Sequence, residues 1–139
     1  MSDDVSLPAN ELVERWPADP QVLSGIRHAV SQFARAAGAD ERTIDDIALA
    51  VSEAATNSVI HAFNDHRPRG SITITGTVED ADLWLEVADD GTGLRPRSDS
   101  PGLGLGLAII ARVAAELRIT EAPQRGTRVR MRFALAFAP

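Results

Sequence analysis

The sequence predicts an α/β fold in which a mixed or antiparallel sheet carries its helices on one face. Three observations lead there. Two long stretches show 3.6-residue apolar periodicity, several short ones show strict alternation, and the elements follow the order βααββαββ without repeated βαβ units. A doubly wound parallel sheet is built from that repeat and is therefore disfavoured. At 139 residues the chain has the length of one domain, expected to span residues 1–139 with 1–10 flexible.

Glu11 to Trp16 alternates polar residues with Leu12 and Trp16, an edge strand that Pro17 ends. Asp19-Pro20 is a helix start: a capping acid before a proline already set for the first turn. Val22, Leu23, Ile26, Ala29, Val30, Phe33, Ala34 and Ala37 recur at helical spacing until Gly38 stops the run. A second helix opens near Asp40 and runs to about Phe63, its apolar stripe including Ile44, Ile47, Val51, Ala54, Ala55, Ser58 and Val59. Asn64 to Gly70 is loop-like in composition. Ser71 to Val78 and Leu83 to Val87 alternate about a turn at Glu79–Asp82, which makes a hairpin. Leu105 to Leu117 reads as a helix, Arg118 to Glu121 as a short strand, and Thr127 to Ala136 as the last strand after a turn at Gln124-Arg125-Gly126. In that last strand Val129, Met131, Phe133 and Leu135 face one way and Arg128, Arg130 and Arg132 the other. The basic ladder is either solvated and paired with Glu86 across the sheet, or meets an acidic protein surface.

Composition narrows the function classes. A net charge of −6 argues against nucleic acid as a direct partner, because phosphate backbones favour basic surfaces. No apolar run approaches the ~18 residues of a membrane span, and Met1-Ser2-Asp3-Asp4 lacks the basic and apolar blocks of a signal peptide, so no membrane association and a cytoplasmic location are expected. Without cysteine there is neither a disulfide framework nor a thiolate metal site. All fourteen cations are Arg, so no Lys is available to bind phosphate.

Three separated stretches carry chemistry. Residues four apart on a helix lie about 40° apart, so Glu53, Asn57 and His61 form one slanted polar row at the edge of the second helix's apolar stripe. The Asn57 amide oxygen can complete the shell of Mg²⁺, and Glu53 can accept a proton from a hydroxyl attacking phosphorus. An ordinary amphipathic helix with a solvated edge would look the same. Counting in twos from Leu83 through Leu85 and Val87 puts Asp89 on the inward face of its strand. A carboxylate there must find donors, and an adenine amino group is one, whereas a plain strand-end turn with Asp90-Gly91 is the alternative. Gly91 and Gly93 permit close backbone approach to a flat ligand. Gly102, Gly104 and Gly106 lead into a helix whose first amides can receive an anion. No Lys-Ser/Thr follows, so this is not a Walker loop, and the G-x-G-x-G spacing is not a dinucleotide fingerprint.

Glu53-Ala54-Ala55-Thr56-Asn57, Asp89-Asp90-Gly91-Thr92-Gly93 and Gly102-Leu103-Gly104-Leu105-Gly106 resemble the N, G1 and G2 boxes of the GHKL (histidine-kinase-like) ATPase superfamily. The resemblance covers residues 11 to 135 and implies a Bergerat-type two-layer sandwich. By position it makes Asn57 the Mg²⁺ ligand and Asp89 the adenine-reading acid. It adds Gly91, Gly93, Gly102, Gly104, Leu105 and Gly106 as ATP-binding positions, with Thr127 supporting the adenine contact. Within that superfamily Val51 to Ala62 is similar to bacterial anti-sigma factor serine-protein kinases. That likeness implies ATP and Mg²⁺ as cofactors and Glu53 as general base. It implies a sigma factor and an anti-sigma factor antagonist as partners, Arg27 as a contact to the antagonist, and a homodimer. One departure stands out: only Leu94 to Pro101 separate Gly93 from Gly102, where many of these kinases have a longer lid with basic residues facing the γ-phosphate. Arg95 or Arg97 would have to substitute.

Three activities are therefore expected to compete. The first is an ATP-dependent serine kinase that is also an anti-sigma factor. The second is an ATP-binding anti-sigma switch without significant kinase activity. The third is a detached histidine-kinase domain, disfavoured because no preceding dimerisation helix presents an acceptor and His28 lies within the first helix.

Overall fold

The computed structural model describes residues 10–64, 70–90, 103–122 and 126–135. The elements are β1 (Glu11–Pro17), a 3₁₀ turn (Pro20–Val22), α1 (Leu23–Ala36), α2 (Glu41–Asn64), β2 (Ser71–Glu79), β3 (Asp82–Asp89), α3 (Leu103–Val113), β4 (Glu116–Ala122) and β5 (Gly126–Ala134). The five strands form one sheet in the order β1-β2-β3-β5-β4, and every pairing is antiparallel. The βααββαββ order and the edge position of β1 are as the alternation and periodicity predict.

Local chemistry accounts for the helix ends. Asp19 is extended and its Oδ1 accepts from Gln21 N–H at 2.9 Å, but Pro20 opens a single 3₁₀ turn before α1 proper. Gly38 adopts φ +90°, a conformation that costs a side chain strain, and so ends the helical run. Asp40 caps α2 by accepting from Thr43 N–H at 2.8 Å.

One face of the sheet is the core. Ile72 and Ile74 of β2, Leu83, Leu85 and Val87 of β3, and Val129, Met131 and Phe133 of β5 are buried there. They meet Ile26, Val30 and Phe33 of α1, Ile44, Ile47, Val51 and Val59 of α2, and Ile110 of α3. Fully burying an aliphatic side chain of this size contributes roughly 1.5–3 kcal/mol, so this layer dominates stability. Bare Cα atoms let the layers approach. A Cβ on Gly25 would come 2.9 Å from the Trp16 ring, and one on Gly76 would come 2.7 Å from Phe33. The helices thus share one face, with β1 seated on α1 through Trp16.

The opposite face carries the arginine ladder, and the structure favours its internal pairing. Arg128 lies 3.9 Å from Glu86, Arg132 lies 3.3 Å from Asp82 and 3.7 Å from Glu116, and Arg118 lies 2.7 Å from Glu116. Arg130 stacks 4.4 Å above the Trp84 ring.

The third helix ends earlier than its sequence suggests. Ala114 N–H still donates to Ile110 O, but Ala115 N–H donates to Arg132 O at 2.8 Å, and Leu117 is paired with Met131. Ala114 to Leu117 are good helix formers, and pairing with β5 overrides that preference. The short strand expected at Arg118–Glu121 accordingly begins at Glu116. The last strand closes at Ala134, with Leu135 N–H donating to Ala81 O at 2.7 Å.

Candidate nucleotide-binding site

The site is organised by α2, where two adjacent residues serve two different clusters. Asn57 is buried, 7% exposed, and Glu53 one turn earlier is half-buried. The expected edge position holds for Glu53. Asn57 is more deeply covered because α3 packs over it at Gly106. A Cβ on Gly106 would lie 3.2 Å from Glu53 Oε2 and 3.5 and 3.6 Å from the two terminal atoms of the Asn57 amide. The glycine therefore lets the α3 backbone close onto the carboxylate and amide together. Gly104 and Leu105 lie in the first turn of this helix.

Ser58, the next residue, belongs to the second cluster. Its hydroxyl stands 3.1 Å from Asp89 Oδ2 and 3.3 Å from Ala54 O. With one proton, it is shared between these acceptors. Asp89 Oδ1 accepts from Thr127 N–H at 3.4 Å, and Thr127 is fully buried. The strand-end carboxylate thus draws donors from α2 and β5, as burial of an acid requires. Gly126 makes the crossing possible. It sits at φ +90°, and a Cβ built on it overlaps the Asp89 carbonyl oxygen and comes within 2.9 Å of Oδ1.

Of the residues singled out from sequence, Glu53, Asn57 and Gly106 come together, and so do Asp89 and Thr127. Arg27 is exposed on α1, its Nη1 3.4 Å from the hydroxyl of Ser52, the neighbour of Glu53. Gly91, Gly93, Gly102 and the lid arginines Arg95 and Arg97 lie outside the described residues, as does the side chain of His61. Two residues of the site were not singled out. Ser58 reads in the sequence as part of an apolar stripe, though a hydroxyl on a buried helix face is itself a signal, since it must find a partner. Gly126 reads as a turn residue, and only its contact with β3 shows why it must be glycine.

The chemistry available is that of a nucleotide cradle. The Asn57 amide oxygen is a hard neutral donor of the kind that can ligate a phosphate-bound Mg²⁺, the Glu53 carboxylate beside it can accept a proton, and the Asp89 carboxylate in the other cluster can accept from an amino group. Among the described residues no group of three or more His, Asp or Glu side chains forms a protein-only metal cage. No described helix is long and apolar enough to cross a membrane.

A family model described as histidine kinase-like ATPase domain matches residues 16–133. An anti-sigma F factor of Caldanaerobacter subterraneus is 33% identical over 134 residues, covering 88% of this chain and 92% of that protein. The serine-protein kinase RsbW of Listeria monocytogenes is 41% identical over 83 residues, 60% of this chain and 52% of the kinase. Among solved structures, the RsbU and RsbW domains of a Mycobacterium tuberculosis protein align with a TM-score of 0.74 at 23% identity. That alignment covers 95% of this chain and 34% of the longer one, and shows the fold. The histidine kinase domain of Erythrobacter litoralis EL346 aligns with a TM-score of 0.59 at 30% identity, over 86% of this chain and 61% of that one. The chain belongs to the histidine kinase-like ATPase domain family, among its anti-sigma factor serine-protein kinases.

Proposed function

We propose that this protein is an anti-sigma factor and an ATP-dependent serine-protein kinase. It phosphorylates an anti-sigma factor antagonist and so regulates transcription by partner switching. The observation that carries this reading is the meeting on α2 of a Glu53–Asn57–Gly106 cluster and a Ser58–Asp89–Thr127 cluster. One suits the phosphates of ATP and the other its base.

In this reading Asp89 accepts the hydrogen bond of the adenine 6-amino group, held in place by Ser58 and Thr127. Gly91, Gly93, Gly102, Gly104, Leu105 and Gly106 line the nucleotide. The donor set fits Mg²⁺, since the Asn57 amide oxygen is a hard neutral ligand and the phosphates supply the rest. Bound there, the ion would neutralise charge on the transferring phosphoryl group. Glu53 accepts the proton of the acceptor serine as its oxygen attacks the γ-phosphorus. The bond to the bridging oxygen breaks, leaving phosphoserine and ADP.

The proposal gives Arg27 a contact to the antagonist, supported by its exposure beside Ser52, the neighbour of Glu53. The names of the relatives support a sigma factor and an antagonist as partners. The proposal extends to a cytoplasmic homodimer without direct contact to nucleic acid, which rests on the acidic composition and the family resemblance. The short lid between Gly93 and Gly102 favours one competing reading, a switch that binds ATP and sigma factor without useful transfer.

Incubation with Mg-ATP, sigma factor and antagonist separates the two. Phosphoserine on the antagonist, lost in Glu53→Ala while ATP still binds, is the expected result. Retained sigma binding with no phosphoserine supports the switch. Phosphohistidine on a partner would replace both with a histidine kinase.

A further inference from the structure

Asp89 ends β3 and Asp90 follows it, and the two point to opposite faces of the sheet. Asp89 turns to the helices and Ser58. Asp90 turns to the open face, where it meets the first residue of β2. Ser71 N–H donates to Asp90 Oδ1 at 2.7 Å, the Ser71 hydroxyl donates to Oδ2 at 2.9 Å, and Asp90 N–H donates to Ser71 O at 3.3 Å. Arg15 of β1 completes the set. Its Nε–H donates to the Ser71 hydroxyl at 3.0 Å, and its Nη2 lies 3.9 Å from Asp90 Oδ2. A polarised relay therefore runs from guanidinium to hydroxyl to carboxylate across three strands, at the edge of the sheet where the site begins.

We infer that Arg15, Ser71 and Asp90 form a clamp that positions Asp89 and sets its selectivity for the purine 6-amino group. This rests on the base-reading role proposed for Asp89. The β2–β3 ladder ends with Ile72 opposite Asp89, so beyond that pair the long 3.3 Å bond is the only backbone link across the two strands among the described residues. The two bonds from Ser71 to the Asp90 carboxylate replace the missing rung. On the other flank Gly126 allows β5 to lie against the Asp89 carbonyl. Asp89 is thus held between a clamp on one strand and a close contact on the other. Discrimination between an amino donor and a keto acceptor depends on the carboxylate staying put. If the strand end shifts, the acid turns away from the amino group or takes a water in its place, and the bond that only the 6-amino purine makes is weakened.

The magnitudes assign the roles. Arg15 and Asp90 side chains are 73% and 52% exposed, and exposed ion pairs contribute little. The hydrogen bonds from Ser71 therefore carry the positioning, and Arg15 orients the hydroxyl. These are positioning residues: Asp90 points away from the nucleotide and acts through Asp89.

The test compares ATP with ITP, whose base carries a 6-keto group in place of the amino group, by calorimetry in Mg²⁺. Wild type is expected to prefer ATP. Asp90→Ala is expected to lower that preference roughly two- to tenfold, the range of one or two modest hydrogen bonds, through weaker ATP binding with ITP unchanged. Asp90→Asn can still accept from Ser71 N–H and donate to the Ser71 hydroxyl, so it should retain the wild-type ratio. If Asp90→Ala does not fold, Ser71→Ala removes only the hydroxyl and should give a smaller fall of about twofold. A preference unchanged in Asp90→Ala or in Ser71→Ala, whatever happens to Tm, overturns the clamp and leaves Asp89 untouched. So does an Asp90→Asn ratio as low as that of the alanine variant. Equal wild-type affinity for ATP and ITP overturns the base-reading role, and the clamp with it.

Discussion

The Ser58 hydroxyl lies 3.1 Å from Asp89 Oδ2, so the helix that carries Asn57 also fixes the acid to which the proposed function assigns the base. Asn57 and Ser58 are neighbours in sequence and belong to two different clusters, one with Glu53 and Gly106 and the other with Asp89 and Thr127. Ser58→Ala is expected to weaken ATP binding roughly two- to tenfold, the worth of one modest hydrogen bond acting through Asp89, without unfolding the protein. Calorimetry with ATP and Mg²⁺ checks it, and an unchanged affinity would mean that the Ser58 hydroxyl does not orient the acid.

Gly106 separates activity from stability. Alanine at an interior helix position is favoured over glycine by about 1 kcal/mol, so Gly106→Ala should hold or raise Tm. Its methyl group would stand 3.2 Å from Glu53 Oε2 and crowd the Asn57 amide. Phosphoserine formation is therefore expected to fall about tenfold or more in a protein that melts no earlier than wild type. Thermal melts beside a transfer assay read both quantities, and normal transfer would show that the carboxylate can move aside freely.

Gly126→Ala should fail in both respects. At φ +90° a side chain costs about 1 kcal/mol or more, and here the new Cβ also overlaps the Asp89 carbonyl oxygen. A lower Tm together with weaker ATP binding is expected. Weaker binding with Tm unchanged would contradict the steric account.

The cap of α2 gives a pH dependence with a definite sign. Hydrogen bonds from the Thr43 side chain and backbone, with Arg42 nearby, hold the Asp40 carboxyl below its ordinary value of 3.8. The folded value is depressed, so the contribution is complete above 3.8 and is lost as pH falls below it through the folded value. Asp40→Ala should therefore melt below wild type at neutral pH, and the gap should close in acid. Melting curves between pH 2 and 7 test this, and a gap that widens in acid would reverse the sign.

Much of this was legible in the sequence where local chemistry decides the outcome. The cap at Asp19, the start of a second helix near Asp40, the stop at Gly38 and the alternation through Leu83, Leu85 and Val87 needed no tertiary information. The inward position of Asp89 followed from counting in twos, and its need for donors followed from burial. The identity of those donors did not, because Ser58 and Thr127 lie 31 and 38 residues from Asp89 in sequence. The end of α3 was misjudged for a similar reason. Ala114 to Leu117 favour a helix in isolation, and β5 claims them through a contact with Arg132 that no local pattern encodes. The arginine alternation on β5 was readable, but its acidic partners on β3 and β4 were only partly so: Glu86 was foreseen, Asp82 and Glu116 were not.

In the proposed function Asp89 receives the base of a nucleotide whose phosphates lie over Asn57 and Glu53. Titration of ATP and Mg²⁺ into wild type and Asp89→Asn, followed by calorimetry, tests it most directly. A saturable heat in wild type and a loss of about tenfold or more in the variant is expected, in line with a hydrogen bond to a charged group. Equal affinities, or no heat with either protein, would contradict it.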